Sequence, residues 1–545
     1  MRIRRSWYRK VIAERSALLG ILLVIALGAF LRLWGLQFGL PHPFARPDEE
    51  VVVDLALGVL KDPNPHFFDW PTLFAYTTAA VYAALFAIER SIGGAITDAA
   101  VAKALFEPTL HLVPRMLSAA AGIATIAALF GAAQELFSKR VALLASAFLA
   151  VAFLHVRDSH FGVTDVPATF LTVCAFWASV RCAAKGVTLR RVAVAGVLCG
   201  LATSTKYNTA LVLLPAIVAI VWPRENLRPA LAVRALAVLL LCAAIAFVAG
   251  TPYAVLDSPT FLAAVTGIGR HLGAGHVVMA RGWTYHAIFT LRYGLGIPLL
   301  AGAGLGGLWL IARQPRAAAL TLAFPVPYYI VLGSGLTVFV RYMVPIVPFA
   351  CLAAAVFVDR FADALHEWFS KNHAAVPHVA TAALAAVIAI PTATSSVLFD
   401  RLMTKSDTRV LAAEWVASQF PTGTTMYQNG YGYVQLRPTP LARYPQYGFN
   451  DRTNRFERDG RPIASPDVIV LHESPLGVYT MVPAPIAALV GTDYVLVATF
   501  TAMTPSDAQQ AVYDLDDAFF APFGGIENAR RPGANIRIFQ RRAAQ

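Results

Sequence analysis

Three adjacent acids, Asp48, Glu49 and Glu50, stand in HPFARPDEEVVVDL (42–55), directly after a long apolar run. Charge beside lipid is expensive, so acids at such a boundary point to a task. A carboxylate there can take a proton from an incoming nucleophile. Cations elsewhere in the chain supply the complement: Arg115 in VPRMLSAAAG, Lys206 in STKYN and Arg341 in RYMVPIVP. Guanidinium and ammonium groups hold a departing phosphate and stabilise its growing charge. An acid pair beside such cations suits group transfer from a lipid phosphate. Asp165 closes RDSHFGVTD (157–165), and Tyr207 follows Lys206.

Each residue also has a plain structural reading. Arg115, Lys206 and Arg341 can be helix-end residues reaching for water. Asp165, two residues before Pro167, is a good helix start. Glu50 and Asp54 are expected to face water. His42, His66 and His160 lack the i, i+4 spacing of a helical metal pair, so no metal site is expected. The weight rests on the convergence of acids and bases from separate segments.

These residues must be positioned by membrane elements. Of the 545 residues 57% are hydrophobic and 14% charged, with mean hydropathy +0.58. A soluble domain carries about a quarter charged residues, so the chain reads as a polytopic α-helical membrane protein. The net charge of +13 does not indicate nucleic acid, because much of it sits in short loops between apolar runs. Five cysteines, all in or beside apolar segments, read as small core residues. MRIRRSWYRK reads as the cytoplasmic flank of a retained first helix.

Apolar runs fall near 16–36, 112–136, 141–156, 161–183, 192–205, 207–222, 231–252, 286–312, 317–333, 341–359 and 376–397, which gives about 11 spans. The linkers SKR, KGVTLRR, WPRENLR, RQPR and FSKNH are basic and expected to be cytoplasmic. With a cytoplasmic N-terminus this holds only if the short run 72–88 does not cross, but lies in the outer interface. The acids and cations then gather at one face, within a membrane domain 1–399 that includes an outer juxtamembrane loop, 37–111. Residues 400–545 carry 14 basic and 14 acidic residues, for zero formal charge, and read as a periplasmic α/β domain. DTRVLAAEWVASQF reads as a helix capped by Asp407 or Thr408, with Val410, Trp415 and Phe420 inward. SDAQQAVYDL reads as another helix, and DVIVLHE, DYVLVATF and NIRIFQRR as strands.

In this order and on this topology, the motifs resemble the polytopic glycosyltransferases that use polyprenyl-phosphate sugars, namely the protein O-mannosyltransferases and lipid A aminoarabinose transferases. RPDEE matches their first-loop Asp-Glu motif, and DWPTLFAY their juxtamembrane Pro/Tyr segment. VPRMLSAAAG matches the segment carrying a phosphate-contacting arginine. RDSHFGVTDVPATF, STKYN, GTPYAVLD and RYMVPIVPF resemble further landmarks. RHLGAGHVVMARGWTYH (270–286) is similar to an outer loop covering the site, and DTRVLAAEWV to the start of the external domain. The resemblance implies a GT-C fold and a polyprenyl-phosphate sugar as donor. It implies Asp48 as catalytic base with Glu49 beside it, and Arg115, Lys206 and Arg341 as donor-phosphate ligands. Asp165, His160, Tyr207, His271 and His276 become substrate-site candidates. No metal and no cofactor are implied. The prolines of the first loop are separated, whereas aminoarabinose transferases have Lys-Pro-Pro, a departure that weakens lipid A as acceptor.

The expectation is an inverting glycosyltransferase of the bacterial inner membrane, acting on a protein, lipid or glycan acceptor at the periplasmic side. A transporter or lipid flippase is the rival, but it would bury its charges near the midplane between repeats. A non-catalytic scaffold would leave Asp48, Arg115 and Lys206 without a shared task.

Overall fold

The computed structural model describes residues 2–94, 96, 98–222, 228–275, 277, 279–369, 376–437 and 443–542. The chain divides into two compact units. One comprises Met1–Trp34, Val51–Leu105 and Val113–Val397, and the other Gly35–Glu50, Phe106–Leu112 and Leu398–Gln545.

The first unit is helical. All eleven expected apolar runs are helical, but they are not equivalent. Six helices are long and apolar enough to cross a membrane, or up to nine if each of three bent pairs is one span, among the described residues. The helix Leu189–Thr203, at 15 residues, and the apolar stretch Tyr207–Val221 fall short. This corrects the expected count of eleven. At about 1.5 Å per residue in α-helix and about 2.0 Å in the 3₁₀ turn that opens the second, each covers roughly 22–26 Å of a core about 30 Å thick.

The bends have identifiable causes. Gly282–Leu295 and Ile297–Arg313 meet at 113° around Gly296, whose φ of +78° suits glycine alone. Pro315–Leu322 and Pro325–Gly333 meet at 42°, where Pro325 cannot donate an N–H. Lys139–Val151 and Phe153–Ser159 meet at 57°, where the Phe153 N–H donates instead to Thr392 Oγ1 at 2.8 Å. Small residues allow close packing. A side chain at Gly200 would run into the Ala243 carbonyl, and one at Gly306 into that of Ala353.

Leu73–Ser91 forms a 19-residue helix that is not among those long and apolar enough to cross a membrane. Its start is tied to the ends of two others. The Thr72 hydroxyl donates to the Gly250 carbonyl at 2.9 Å, and the Leu73 N–H to that of Ser204 at 3.1 Å.

Among its described residues the second unit is built on seven strands: β1 Met426–Gln428, β2 Gln446–Asn450, β3 Arg455–Arg458, β4 Arg461–Pro462, β5 Val468–Glu473, β6 Tyr494–Phe500 and β7 Asn535–Arg541. Their order is β4-β3-β2-β1-β5-β7-β6, with β1 parallel to β2 and β5 and the other pairs antiparallel. Val468 and Val470 of β5 point to one face, where Ala412 and Val416 of the helix Thr408–Gln419 cover them. Ile469 and Leu471 point to the other, against Ile486 of the helix Ala484–Thr492. This alternation is the period-2 burial of a central strand. The expected helix over 506–515 is one turn, Pro505–Ala508, capped by Thr504. Beyond it Val512 bridges to Gly524 and Tyr513 is buried, so tertiary pairing overrides helical propensity there.

Cysteines introduced at the exposed positions Asp69 and Gly94 should both react with an impermeant thiol reagent from the same side of the membrane. Labelling of one and protection of the other would mean that Leu73–Ser91 crosses.

Candidate active site

The candidate residues divide between the units. In the second unit, residues 41–48 form no regular helix or strand, and Asp48 adopts φ +73°. A non-glycine residue in this left-handed region costs on the order of 1–3 kcal/mol and persists only where surroundings enforce it. Asp48 is half-buried and Glu49 fully buried, at the start of the helix Glu49–Gly58. Glu50 was expected to face water. It does not: Tyr433 OH donates to its Oε1 at 2.8 Å, and its Oε2 is buried. Burial pushes the Glu50 carboxyl up to about 7, with Asp48 and Glu49 adding to the rise and the Tyr433 hydrogen bond opposing it.

Around these acids the unit is held by buried charge. Arg46 Nη1 donates to Asp517 Oδ1 at 2.9 Å and to the Pro47 carbonyl at 3.1 Å. Arg46 Nη2 approaches Asp517 Oδ2 at 2.8 Å as an ion pair rather than an aligned hydrogen bond. Arg409 is gripped by Asp407, with Nε to Oδ1 at 2.9 Å and Nη2 to Oδ2 at 2.7 Å. Its remaining nitrogen, Nη1, donates to the carbonyls of Phe44 at 3.2 Å and Tyr433 at 2.6 Å. Burial alone would raise Asp407, but the Arg409 guanidinium outweighs it and holds the carboxyl below its usual range. His42 faces the Gln435 carbonyl at 2.9 Å and is pushed down to about 3, mainly by burial and then by Arg409.

In the first unit the structure brings Lys206 and Asp165 together as a partly buried ion pair. Asp165 opens the helix Asp165–Lys185, where a carboxylate complements the helix dipole. Lys206 is extended, just ahead of the 3₁₀ helix Tyr207–Val212, and its Nζ lies 5.3 Å from the Tyr342 ring centre. Arg341, on the 3₁₀ helix Val340–Ile346, stacks 4.3 Å over Phe339 and keeps some exposed surface. Arg115 is fully buried near the start of Leu112–Leu136. Gly162 packs against its backbone nitrogen and Pro114.

The other candidates are more structural. Both ring nitrogens of His160 face main-chain carbonyls, Val156 and Trp34, at 3.0 Å each. The Tyr207 hydroxyl donates to the Phe68 carbonyl at 3.0 Å. His271 lies exposed near the end of the helix Ser258–Ala274, so the expected covering loop 270–286 begins as helix. That stretch is anchored to 335–337: Leu336 donates to the Leu272 carbonyl at 2.9 Å and Gly282 to that of Gly335 at 3.0 Å. His276 lies outside the described residues. Reading the sequence also missed the buried pair Arg157–Asp158 at 2.9 Å and the Tyr433–Glu50 bond. RDSHFGVTD held a signal for the first, as adjacent opposite charges in an apolar setting, but no local pattern links Tyr433 to Glu50.

Glu50 makes stability depend on pH. Its folded value, about 7, lies above its ordinary 4.5, so its stabilising contribution is complete below the latter and lost as pH rises through about 7. Glu50→Gln keeps the shape and removes the charge. Wild type and variant should melt together near pH ~4 and separate near pH ~8, with the variant higher. An equal gap at both ends, in thermal melts across that range, would count against this protonation.

Residues 99–249 match the family described as dolichyl-phosphate-mannose-protein mannosyltransferase. Arg115, His160, Asp165, Lys206 and Tyr207 all lie within that match. Comparison with curated protein sequences gave no match. Among solved structures, ArnT from Cupriavidus metallidurans in the apo state superposes with TM-score 0.54 at 16% identity, over 89% of this chain and 96% of that one. The same protein bound to undecaprenyl phosphate gives 0.53 at 14% identity, over 88% and 95%. The archaeal oligosaccharyltransferase AglB from Archaeoglobus fulgidus was solved with an inhibitory peptide and a dolichol-phosphate. It gives 0.52 at 12% identity over 80% of this chain, which spans only 64% of its length. At these identities the structural likeness is one of fold. The chain thus shares its fold with ArnT and AglB over most of its length, and within that fold residues 99–249 are similar to the mannosyltransferase family.

Proposed function

We propose that this protein is an inverting membrane glycosyltransferase, moving a sugar from a polyprenyl-phosphate donor to a protein, lipid or glycan acceptor on the periplasmic side of a bacterial inner membrane. The observation that carries the reading is the Lys206–Asp165 pair within the family-matched segment: an ammonium partly out of water, in a chain built of membrane helices. ArnT binds undecaprenyl phosphate and AglB a dolichol-phosphate, which supports a lipid phosphate as the partner of that cation.

In the proposed reaction Asp48 takes the proton of the acceptor nucleophile, with Glu49 beside it. The nucleophile attacks the anomeric carbon opposite the phosphate, the sugar–phosphate C–O bond breaks, and the polyprenyl phosphate leaves with the bonding electrons. Lys206 and Arg341, which keep exposed surface, take the growing phosphate charge directly. Arg115, fully buried, adds positive potential. Tyr207, Asp165 and the stretch around His271 shape the donor side, with positive side chains in the place of a metal.

Deleting the gene should cause a lipid-linked sugar to accumulate, and mass spectrometry of extracted lipids identifies the donor. Asp48→Asn, returned to that strain, should clear the lipid about 10² to 10⁴-fold more slowly, the usual span of base catalysis. It should bind undecaprenyl phosphate normally. Lys206→Met should weaken undecaprenyl phosphate binding by roughly one to two orders of magnitude, the worth of a charged hydrogen bond. Asp165→Asn, which frees the ammonium, should not. Near-wild-type clearance by a well-folded Asp48→Asn would end the assignment of the base.

A further inference from the structure

The backbone of Asp48 is held in an unusual conformation. It follows an irregular segment and sits at φ +73°. The contacts around it are long-range and buried. Two residues before Asp48, Arg46 is fully buried and joined to Asp517, 471 positions away. The same guanidinium donates to the carbonyl of Pro47, the residue adjoining Asp48, at 3.1 Å. Two residues earlier still, the Phe44 carbonyl accepts from Arg409, which Asp407 holds in a two-point fork. Aromatic rings close the other side, with Phe519 at 5.6 Å from Arg46 and Phe520 at 5.3 Å from Arg409.

We infer that Arg46, Asp517 and Arg409 are positioning residues, which hold Asp48 in its left-handed conformation by pinning the main chain ahead of it. The inference rests on the reading of Asp48 as the base, and it gives the C-terminal stretch a share in turnover. A left-handed aspartate relaxes if its anchors are removed, and the carboxylate then moves away from the acceptor proton. Misplacing a reacting group by about 1 Å costs on the order of 10²-fold in rate. Donor binding belongs to other residues and is untouched.

The test uses the full chain in detergent and in the deletion strain. Asp517→Asn keeps the shape and withdraws the counter-charge. Clearance of the accumulated lipid-linked sugar, per folded enzyme, should fall on the order of 10²-fold. Affinity for undecaprenyl phosphate should stay within roughly two-fold, and Asp517→Glu should recover part of the rate. Combined with Asp48→Asn, Asp517→Asn should add no further loss, because residues acting through one group are not additive. If Asp517→Asn does not fold, Arg46→Met with Asp517→Leu removes both buried charges, which restores packing but not rate. A folded single or double variant that clears the lipid at wild-type rate overturns the inference. So does an additive loss in the Asp48→Asn background. Asp48→Asn alone reports on the base, so failure of that assignment and failure of the clamp are read separately.

Discussion

Arg409 is an arginine almost without solvent, and the second unit is arranged around keeping its charge satisfied. Asp407 supplies the counter-charge in two-point geometry and also caps the helix Thr408–Gln419 by accepting from the Arg409 N–H at 2.8 Å. A buried guanidinium that lost this carboxylate would be strongly destabilising. The donors left over reach the carbonyls of Phe44 and Tyr433, and this draws a segment from the start of the chain into the unit. Burial, reinforced by this positive charge, keeps His42 neutral, and its ring meets the Gln435 carbonyl. Tyr433, held through its carbonyl, directs its hydroxyl to Glu50.

The first unit treats charge in the same way but with different partners. Arg32 spends its donors on the carbonyls of Gly28, Leu149 and Ala150 and on His155, which locks the first helix against the bend at Ala152. Arg157 is matched by its neighbour Asp158. Lys206 and Asp165 differ because the lysine retains exposed surface, so an anion arriving there can compete for it. A charged pair in such a setting is weakly stabilising by itself. That exposure separates Lys206 from Arg32 and Arg157, which are buried.

Fold and chemistry carry different weight here. The shared architecture with ArnT and AglB speaks to how helices and the sheet are built, whereas the match over 99–249 covers the stretch that bears Arg115, Asp165 and Lys206. The acids of the first loop lie outside that match. There the structure shows a left-handed Asp48, a buried Glu49 and a buried Arg46–Asp517 pair just ahead of them.

Local patterns were legible in the sequence. The eleven apolar runs, the Asp407 cap and strands β5, β6 and β7 follow from hydrophobic period and side-chain chemistry within a few residues, and they stand where expected. Bends were not legible, since Gly296 and Pro325 leave hydropathy unchanged while redirecting the helix. Strands β1 to β4 are two to five residues long, too short to show a period. The residue types at the candidate site were legible too, because acids and cations are conspicuous among apolar neighbours. Their surroundings were decided by contacts between residues hundreds of positions apart, Arg46 with Asp517 and Tyr433 with Glu50. His160 shows the same limit: the sequence offers an imidazole, and only packing turns both of its nitrogens to main-chain carbonyls. Burial decides whether such a group meets water, a carbonyl or a substrate, and burial is a property of the assembled chain.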